Sequence, residues 1–300
     1  MNDSDKILKF GIPTGSLEKQ TLELLRNAGW RIAVGTRSYR PSSDDPSMSW
    51  RLLRPQEMPR YIADGALDAG ITGRDWVVEN GVDLVEVETL VYSKTSLAPT
   101  RWVLAVPENS PVRRLEDLAG KRIATEMVAF VRRLCAERKV GVEIEFSWGA
   151  TEAKAADGLV DAIVEVTETG SSLRANGLRI VEELLTSSPI LAAGKQAWDD
   201  PWKQAKIRQI GVLIRGALDA QRRVGIKMNV AQENLQRVIG LLPAITAPTV
   251  SALYSSPALG GKQWVAVETV IDEPTVRELF PKLLAAGAVG IIEYPLNKII

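Results

Sequence analysis

The segment 161–177, DAIVEVTETGSSLRANG, holds the side chains best suited to chemistry. An apolar run, 162–166, leads into Thr167, Glu168, Thr169, Gly170, Ser171 and Ser172, and a helix is expected to open near Leu173. Successive backbone N–H groups at a helix start, with hydroxyls beside them and a glycine allowing close approach, make a cradle for a dianion without any lysine. Glu165 and Glu168 at its edge suit hydrogen bonds from sugar hydroxyls or coordination of Mg2+ through water. Threonines and serines that simply cap a helix have the same spacing. Two other turns are of this kind. GIPTGSL, 11–17, joins a strand to a helix at the strand's carboxyl end, where open α/β sheets bind ligands; a tight βα turn explains it equally. DAGITGRDW, 68–76, ends a strand at Thr72 and Gly73, with Asp75 expected as a helix N-cap. Arg54, Arg74 and Arg101 lie near element ends, where a guanidinium clamps phosphate bidentately, as does the cationic pair Lys121 and Arg122. Arginines in such positions are more often solvated surface.

Composition removes other chemistries. The 300 residues contain no histidine, which excludes Ser-His-Asp and Cys-His arrangements, H-E-x-x-H zinc sites and imidazole bases. One cysteine, Cys135, excludes a disulfide framework and Cys-x-x-Cys motifs, and reads as a small core residue. Lysine plus arginine equals aspartate plus glutamate at 37 each, so no bulk field attracts nucleic acid or anionic lipid. Neither G-x-x-x-x-G-K-[ST] nor G-x-G-x-x-G occurs. The polar start MNDSDKILKF has no signal-peptide character, and the apolar runs fall short of the ~20 residues that span a bilayer. The chain reads as cytoplasmic.

Elements that would position these turns follow from periodicity. Strand-length apolar segments alternate with helical ones as far as residue 190, the pattern of α/β layers. Strands are expected at 7–12, 66–71, 83–90, 101–106, 121–125, 142–146, 161–166 and 179–185. Leu17, Thr21, Leu24, Leu25 and Ala28 form one buried helical stripe, ended by Gly29. Ser110 and Pro111 read as the start of a helix. Two lobes are expected, 1–97 with 187–222 and 98–186, changing near 96–100. A long helix, 198–221, leads to strand 224–230, helix 232–242, strands 249–253 and 263–271, helix 275–286 and strand 290–294. That β-α-β-β-α-β order, 223–300, is the ferredoxin-like split. The eight tryptophans read as core or interface.

The residues 165–183 (EVTETGSSLRANGLRIVEE), 54–76 (RPQEMPRYIADGALDAGITGRDW), RWVLAVPE, GKRIATE, FSWGATE and the closing AAGAVGIIEYPLNKII together resemble the ATP phosphoribosyltransferase family, in order and spacing from about Lys9 to the end. The tail marks the long form. The resemblance implies two lobes like type II periplasmic binding proteins around a cleft, plus a C-terminal ferredoxin-like (ACT-like) regulatory domain. It implies transfer of phosphoribosyl from phosphoribosyl pyrophosphate to N1 of ATP, with Mg2+ held through substrate phosphates and no direct protein ligand set. Glu165, Thr169, Gly170, Ser171, Ser172 and Leu173 then bind phosphoribosyl pyrophosphate. Gly15, Ser16, Arg54, Thr72, Gly73, Asp75, Arg101 and Lys121 line the cleft for ATP and pyrophosphate. Asn229 and Thr249 are placed at an inhibitory histidine pocket, beside the plainer reading of a surface asparagine and a turn threonine. Dimers assembling into hexamers are implied, with no nucleic-acid or membrane partner. Three departures from the family pattern stand out: Glu165 where aspartate is frequent, and Thr14 and Ser16 where lysine and arginine are frequent. A non-catalytic two-lobe binding protein and a regulatory paralogue are the competing readings. No catalytic base is assigned, because adenine N1 is unprotonated at neutral pH.

Overall fold

The computed structural model describes residues 6–35, 38–90, 99–243, 247–254 and 263–300. Its compact units are 1–26 with 30–211, and 27–29 with 212–300. The division falls inside the long helix rather than after residue 222. Most of the expected lobe change near 96–100 lies outside the described residues.

The first unit holds two sheets. Strand β1 (Leu8–Pro13) feeds helix α1 (Glu18–Ala28), and a small ladder, β2 (Ile32–Ala33) with β3 (Ser42–Ser43), precedes β4 (Met48–Leu53). Then follow α2 (Met58–Ala63), β5 (Ala69–Gly73), α3 (Arg74–Asn80) and β6 (Val85–Thr89). Helix α1 buries Thr21, Leu24, Leu25 and Ala28 as its stripe requires. The second sheet takes β7 (Thr100–Pro107), β8 (Arg122–Thr125), α4 (Val128–Glu137), β9 (Glu143–Phe146), α5 (Thr151–Ala156), β10 (Ala162–Thr167), α6 (Ser171–Ala175) and β11 (Leu178–Ser187). The chain then returns to the first sheet through β12 (Pro189–Ala193). The sheet orders are β4-β1-β5-β12-β6 and β11-β7-β10-β8-β9.

Besides the short β2–β3 ladder, two strands depart from the expected series. In β4, Met48, Trp50 and Leu52 face the core while Arg51 points away, so the charge obscures the alternation. In β12 the run starts at a proline, a poor strand signal. The helix expected at Ser110 is absent: one 3-10 turn, Leu115–Leu118, forms instead. The Asp117 carboxylate accepts the N–H groups of Arg113 and Arg114, closing the turn locally. The long helix is two, α7 (Lys195–Asp199) and α8 (Pro201–Ala220). Asp200 separates them, accepting the N–H groups of Trp202 (2.9 Å) and Lys203 (3.0 Å), with Pro201 opening the second.

The second unit has β13 (Arg223–Ala231), α9 (Leu235–Ile239), β14 (Thr249–Ala252), β15 (Trp264–Asp272), α10 (Val276–Ala285) and β16 (Ala288–Pro295). Its antiparallel order β14-β15-β13-β16 is that of a ferredoxin-like βαββαβ module. Ile226, Met228, Val230 and Val267 pack with Val238, Leu279 and Leu283 of the helices, leaving one face of the sheet without a helix.

Candidate active site in the cleft between the lobes

Parallel strands β10, β8 and β9 are neighbours, so their carboxyl ends share one rim of the second lobe. After β10 the chain turns through Thr167–Gly170. The Gly170 N–H donates to Thr167 Oγ1 at 2.8 Å, and Thr169 Oγ1 donates to Ser171 Oγ at 3.0 Å. Gly170 has φ +74°, and a Cβ there would sit 3.0 Å from Arg174 Nη1 and 3.2 Å from Ile180 Cδ1. Only glycine takes this turn without strain. It aims the start of α6, with Ser171, Ser172 and Leu173, along the strand's end. Leu173 anchors the loop in the core, and Ser172 Oγ donates to Glu152 Oε1 at 2.7 Å.

Glu165 is on β10 beside this loop. Burial pushes its carboxyl up to about 7, and the charges of Glu152 and Glu126 add to the effect against the Val166 N–H donated to it at 3.0 Å. Glu126, directly after β8, is also raised, by burial first and by Asp75 second. Among the described residues no group of three or more acidic side chains could cage a metal.

The first lobe contributes the opposite wall. Ser16, Gln56, Asp75 and Trp76 face Trp102, Glu126, Thr167 and Glu168 across a cavity of about 370 Å³. Gly73, not Asp75, is the N-cap of α3, because the helix opens at Arg74 and Asp75 lies two residues inside the cap. Its carboxylate is buried and accepts Trp102 Nε1 at 2.7 Å and the Trp76 N–H at 3.0 Å. Burial holds its carboxyl above the usual range. A Cβ on Gly73 would lie 2.0 Å from Asp75 Oδ1, so glycine is needed for that carboxylate's placement. Asp75 thus joins the lobes, together with Trp76 edge-on to Trp102 at 5.9 Å. Glu79 does the same: it accepts the N–H groups of Ala129 (2.9 Å) and Phe130 (2.8 Å) at the start of α4.

Other predicted residues divide sharply. Gly15 and Ser16 line a second cavity of about 790 Å³ with Arg54, whose guanidinium lies 4.4 Å from the Trp148 ring centre. Thr72 is fully buried and donates to the Pro55 carbonyl at 2.8 Å, so it props the 54–57 turn rather than facing the cleft. Arg101 sits at the rim because β7 runs antiparallel to β10. It is already bound to Glu183 at 3.1 Å and to the Glu168 carbonyl at 3.4 Å, propping the loop. Arg74 is paired with Glu86. Lys121 is not in the cleft: it precedes β8 and pairs with Asp161 at 3.5 Å, roughly 15 Å of strand away from Glu126. In the tail, Asn229 pairs with Ala266 and Thr249 with Glu268, on one face but about 12 Å apart by strand spacing. Glu126, Trp102, Gln56, Trp148 and Ser187 had no assignment from sequence. A carboxylate directly after a buried parallel strand was the available signal for Glu126.

Fold and cleft together define the class: a two-lobed α/β body carrying a C-terminal βαββαβ module. The HisG family, described as ATP phosphoribosyltransferase, matches residues 54–216, and the HisG C-terminal domain matches 220–298. ATP phosphoribosyltransferase of Geotalea uraniireducens is 54% identical over 98% of this chain and 99% of its own. ATP phosphoribosyltransferase 1 of Geobacter sulfurreducens is 53% identical with the same coverage. Among solved structures, the ATP phosphoribosyl transferase (HisG:HisZ) complex from Thermotoga maritima superposes with TM-score 0.61 and 25% identity, over 69% of this chain and 98% of that one. The chain belongs to the ATP phosphoribosyltransferase family, in its long form. No helix among the described residues is long and apolar enough to cross a membrane.

Proposed function

We propose that this chain transfers the phosphoribosyl group of phosphoribosyl pyrophosphate to N1 of ATP, giving 1-(5-phospho-β-D-ribosyl)-ATP and pyrophosphate, the first step of histidine biosynthesis. The observation that carries the reading is the loop after β10, which lines a cleft walled by both lobes with Thr167 and Glu168 and then turns at Gly170, with hydroxyls on either side. In this reading Thr169, Gly170, Ser171, Ser172 and Leu173 hold the 5-phosphate through backbone N–H groups and hydroxyls. Ionised Glu165 accepts from the ribose hydroxyls.

The bond from N1 to C1 of the ribose forms as the bond to pyrophosphate breaks, and the nucleophile is a ring nitrogen with a free lone pair, so no side chain has to remove a proton. The protein's work is alignment of two anionic substrates and exclusion of water. Arg54, Gly15 and Ser16 face the polyphosphates from the first lobe, while Asp75 and Glu79 fix the lobes against each other. With no metal-holding group of acidic side chains among the described residues, Mg2+ would be held through the substrate phosphates and the waters it keeps. When bound, Mg2+ supplies charge neutralisation for the departing pyrophosphate.

Histidine inhibits this activity through the helix-free face of the tail bearing Asn229 and Thr249, and the chain works in the cytoplasm as dimers and hexamers. Titration calorimetry with phosphoribosyl pyrophosphate tests the loop assignment. Gly170→Trp is expected to abolish donor binding while ATP binding persists; unchanged donor affinity would refute the assignment.

A further inference from the structure

All eight tryptophans lie among the described residues, and seven are buried or half-buried; Trp148 is 62% exposed. Phe146, two residues earlier, is 61% exposed. Between them Ser147 is buried, its N–H donated to the Thr125 carbonyl at 3.0 Å and its hydroxyl 3.0 Å from Thr151 Oγ1. Alternation along the extended chain therefore holds both rings on the side away from the core. The protein pays for keeping two large aromatic surfaces in water on a rigid mount, which marks a binding surface rather than a packing accident.

Their position is informative. Donor loop, Glu126 and aromatic pair follow β10, β8 and β9, three successive parallel strands. The rings thus stand two strand spacings, about 10 Å, from the loop proposed to hold the ribosyl donor. They border a slot of about 280 Å³ with Arg54, Gln56, Trp76 and Glu126, scaled to a flat ring system rather than to a whole nucleotide. The Arg54 guanidinium at 4.4 Å from the Trp148 ring centre shows that this face accepts a planar group. The Glu126 carboxyl has no hydrogen-bond partner among the described residues.

We propose that Trp148 and Phe146 form the stacking surface for the purine of the acceptor nucleotide, and that the Glu126 carboxylate reads its exocyclic amino group. The inference rests on the reading that ATP is the acceptor. Stacking gives affinity with little base preference, since every base has a π-face. Glu126 supplies the preference: an ionised carboxylate only accepts, so it pairs with the 6-amino group of adenine and repels the 6-oxo group of hypoxanthine. Accepting from the amino group leaves the neighbouring N1 lone pair unengaged and able to face the donor.

Titration calorimetry on the full-length chain decides it, with ATP, ITP and phosphoribosyl pyrophosphate as separate titrants and thermal melting as the check on folding. Trp148→Ala is expected to weaken ATP binding about 5- to 150-fold, the range for one stacked base, while donor affinity is unchanged. Trp148→Phe is expected to retain most of the ATP affinity. Glu126→Gln, whose amide can donate to a 6-oxo group, is expected to cut the preference for ATP over ITP by more than about tenfold. ATP binding to Trp148→Ala at the wild-type affinity would overturn the stacking surface, and an unchanged ATP-to-ITP ratio in Glu126→Gln would overturn the amino-group contact. Wild-type protein that binds the donor but not ATP would overturn the acceptor reading, and this proposal with it.

Discussion

Glu165 offers a pH-dependent signature of the cleft. Its carboxyl ionises at about 7 in the folded protein instead of 4.5, because burial and the nearby charges of Glu152 and Glu126 oppose the charged form. Between those values the native state keeps a proton that the unfolded chain releases, so stability falls as pH rises through this window and stays reduced above it. The full shift corresponds to about 3 kcal/mol, and the partial exposure of the side chain brings the expected effect to about 2 kcal/mol. Glu165→Gln removes the ionisation. At about pH 8 the variant should melt roughly 4–8 °C above the wild type, whereas at about pH 4 the two should nearly coincide. Thermal unfolding of both proteins at both pH values is the assay. A difference that does not change with pH, or a wild type that gains stability towards alkaline pH relative to the variant, would refute the reasoning. A second readout follows from the proposed ribose contact: donor affinity of the wild type should strengthen as the carboxyl ionises, and that of Glu165→Gln should stay flat.

Asp45 has the opposite sign. Its carboxyl is lowered to about 2: burial alone would raise it, but hydrogen bonds from Lys206 (2.8 Å), Ser47 and Trp30 Nε1 (3.1 Å) together outweigh that. It therefore contributes stability above about pH 4 that is lost as pH falls through about 2. Asp45→Asn should cost about 2 kcal/mol near neutral pH, with a deficit in chemical denaturation that shrinks in acid; a deficit that persists at the lowest pH contradicts the account. In the tail, Asn229→Ala and Thr249→Ala should each weaken inhibition by histidine without changing the uninhibited rate, and inhibition curves superimposable on the wild type would place the effector elsewhere.

Much of this architecture was legible in the sequence because local signals agreed with the fold. The α1 stripe, the hydroxyl-rich turn at Gly170 and the βαββαβ order of the tail each depend on near neighbours. What was not legible depends on which strand lies beside which. Lys121 and Glu126 are five residues apart and sit at opposite ends of β8, and only the parallel pairing with β10 shows which end meets the cleft. Arg101 lies at the rim as expected, yet its charge is committed to Glu183, a partner distant in sequence. Thr72 looked like a cleft hydroxyl until its bond to Pro55 showed a strut. Trp148 carried no periodic signal at all, since exposure of one aromatic ring is decided by the edge position of β9.

The proposed reaction in this cleft joins phosphoribosyl from the donor held at the Gly170 loop to N1 of ATP. Purified full-length protein incubated with ATP, phosphoribosyl pyrophosphate and Mg2+ should show the absorbance of an N1-alkylated adenine, rising in step with pyrophosphate release, and Gly170→Trp should show neither. Binding of both substrates by the wild type with no product and no pyrophosphate would contradict it.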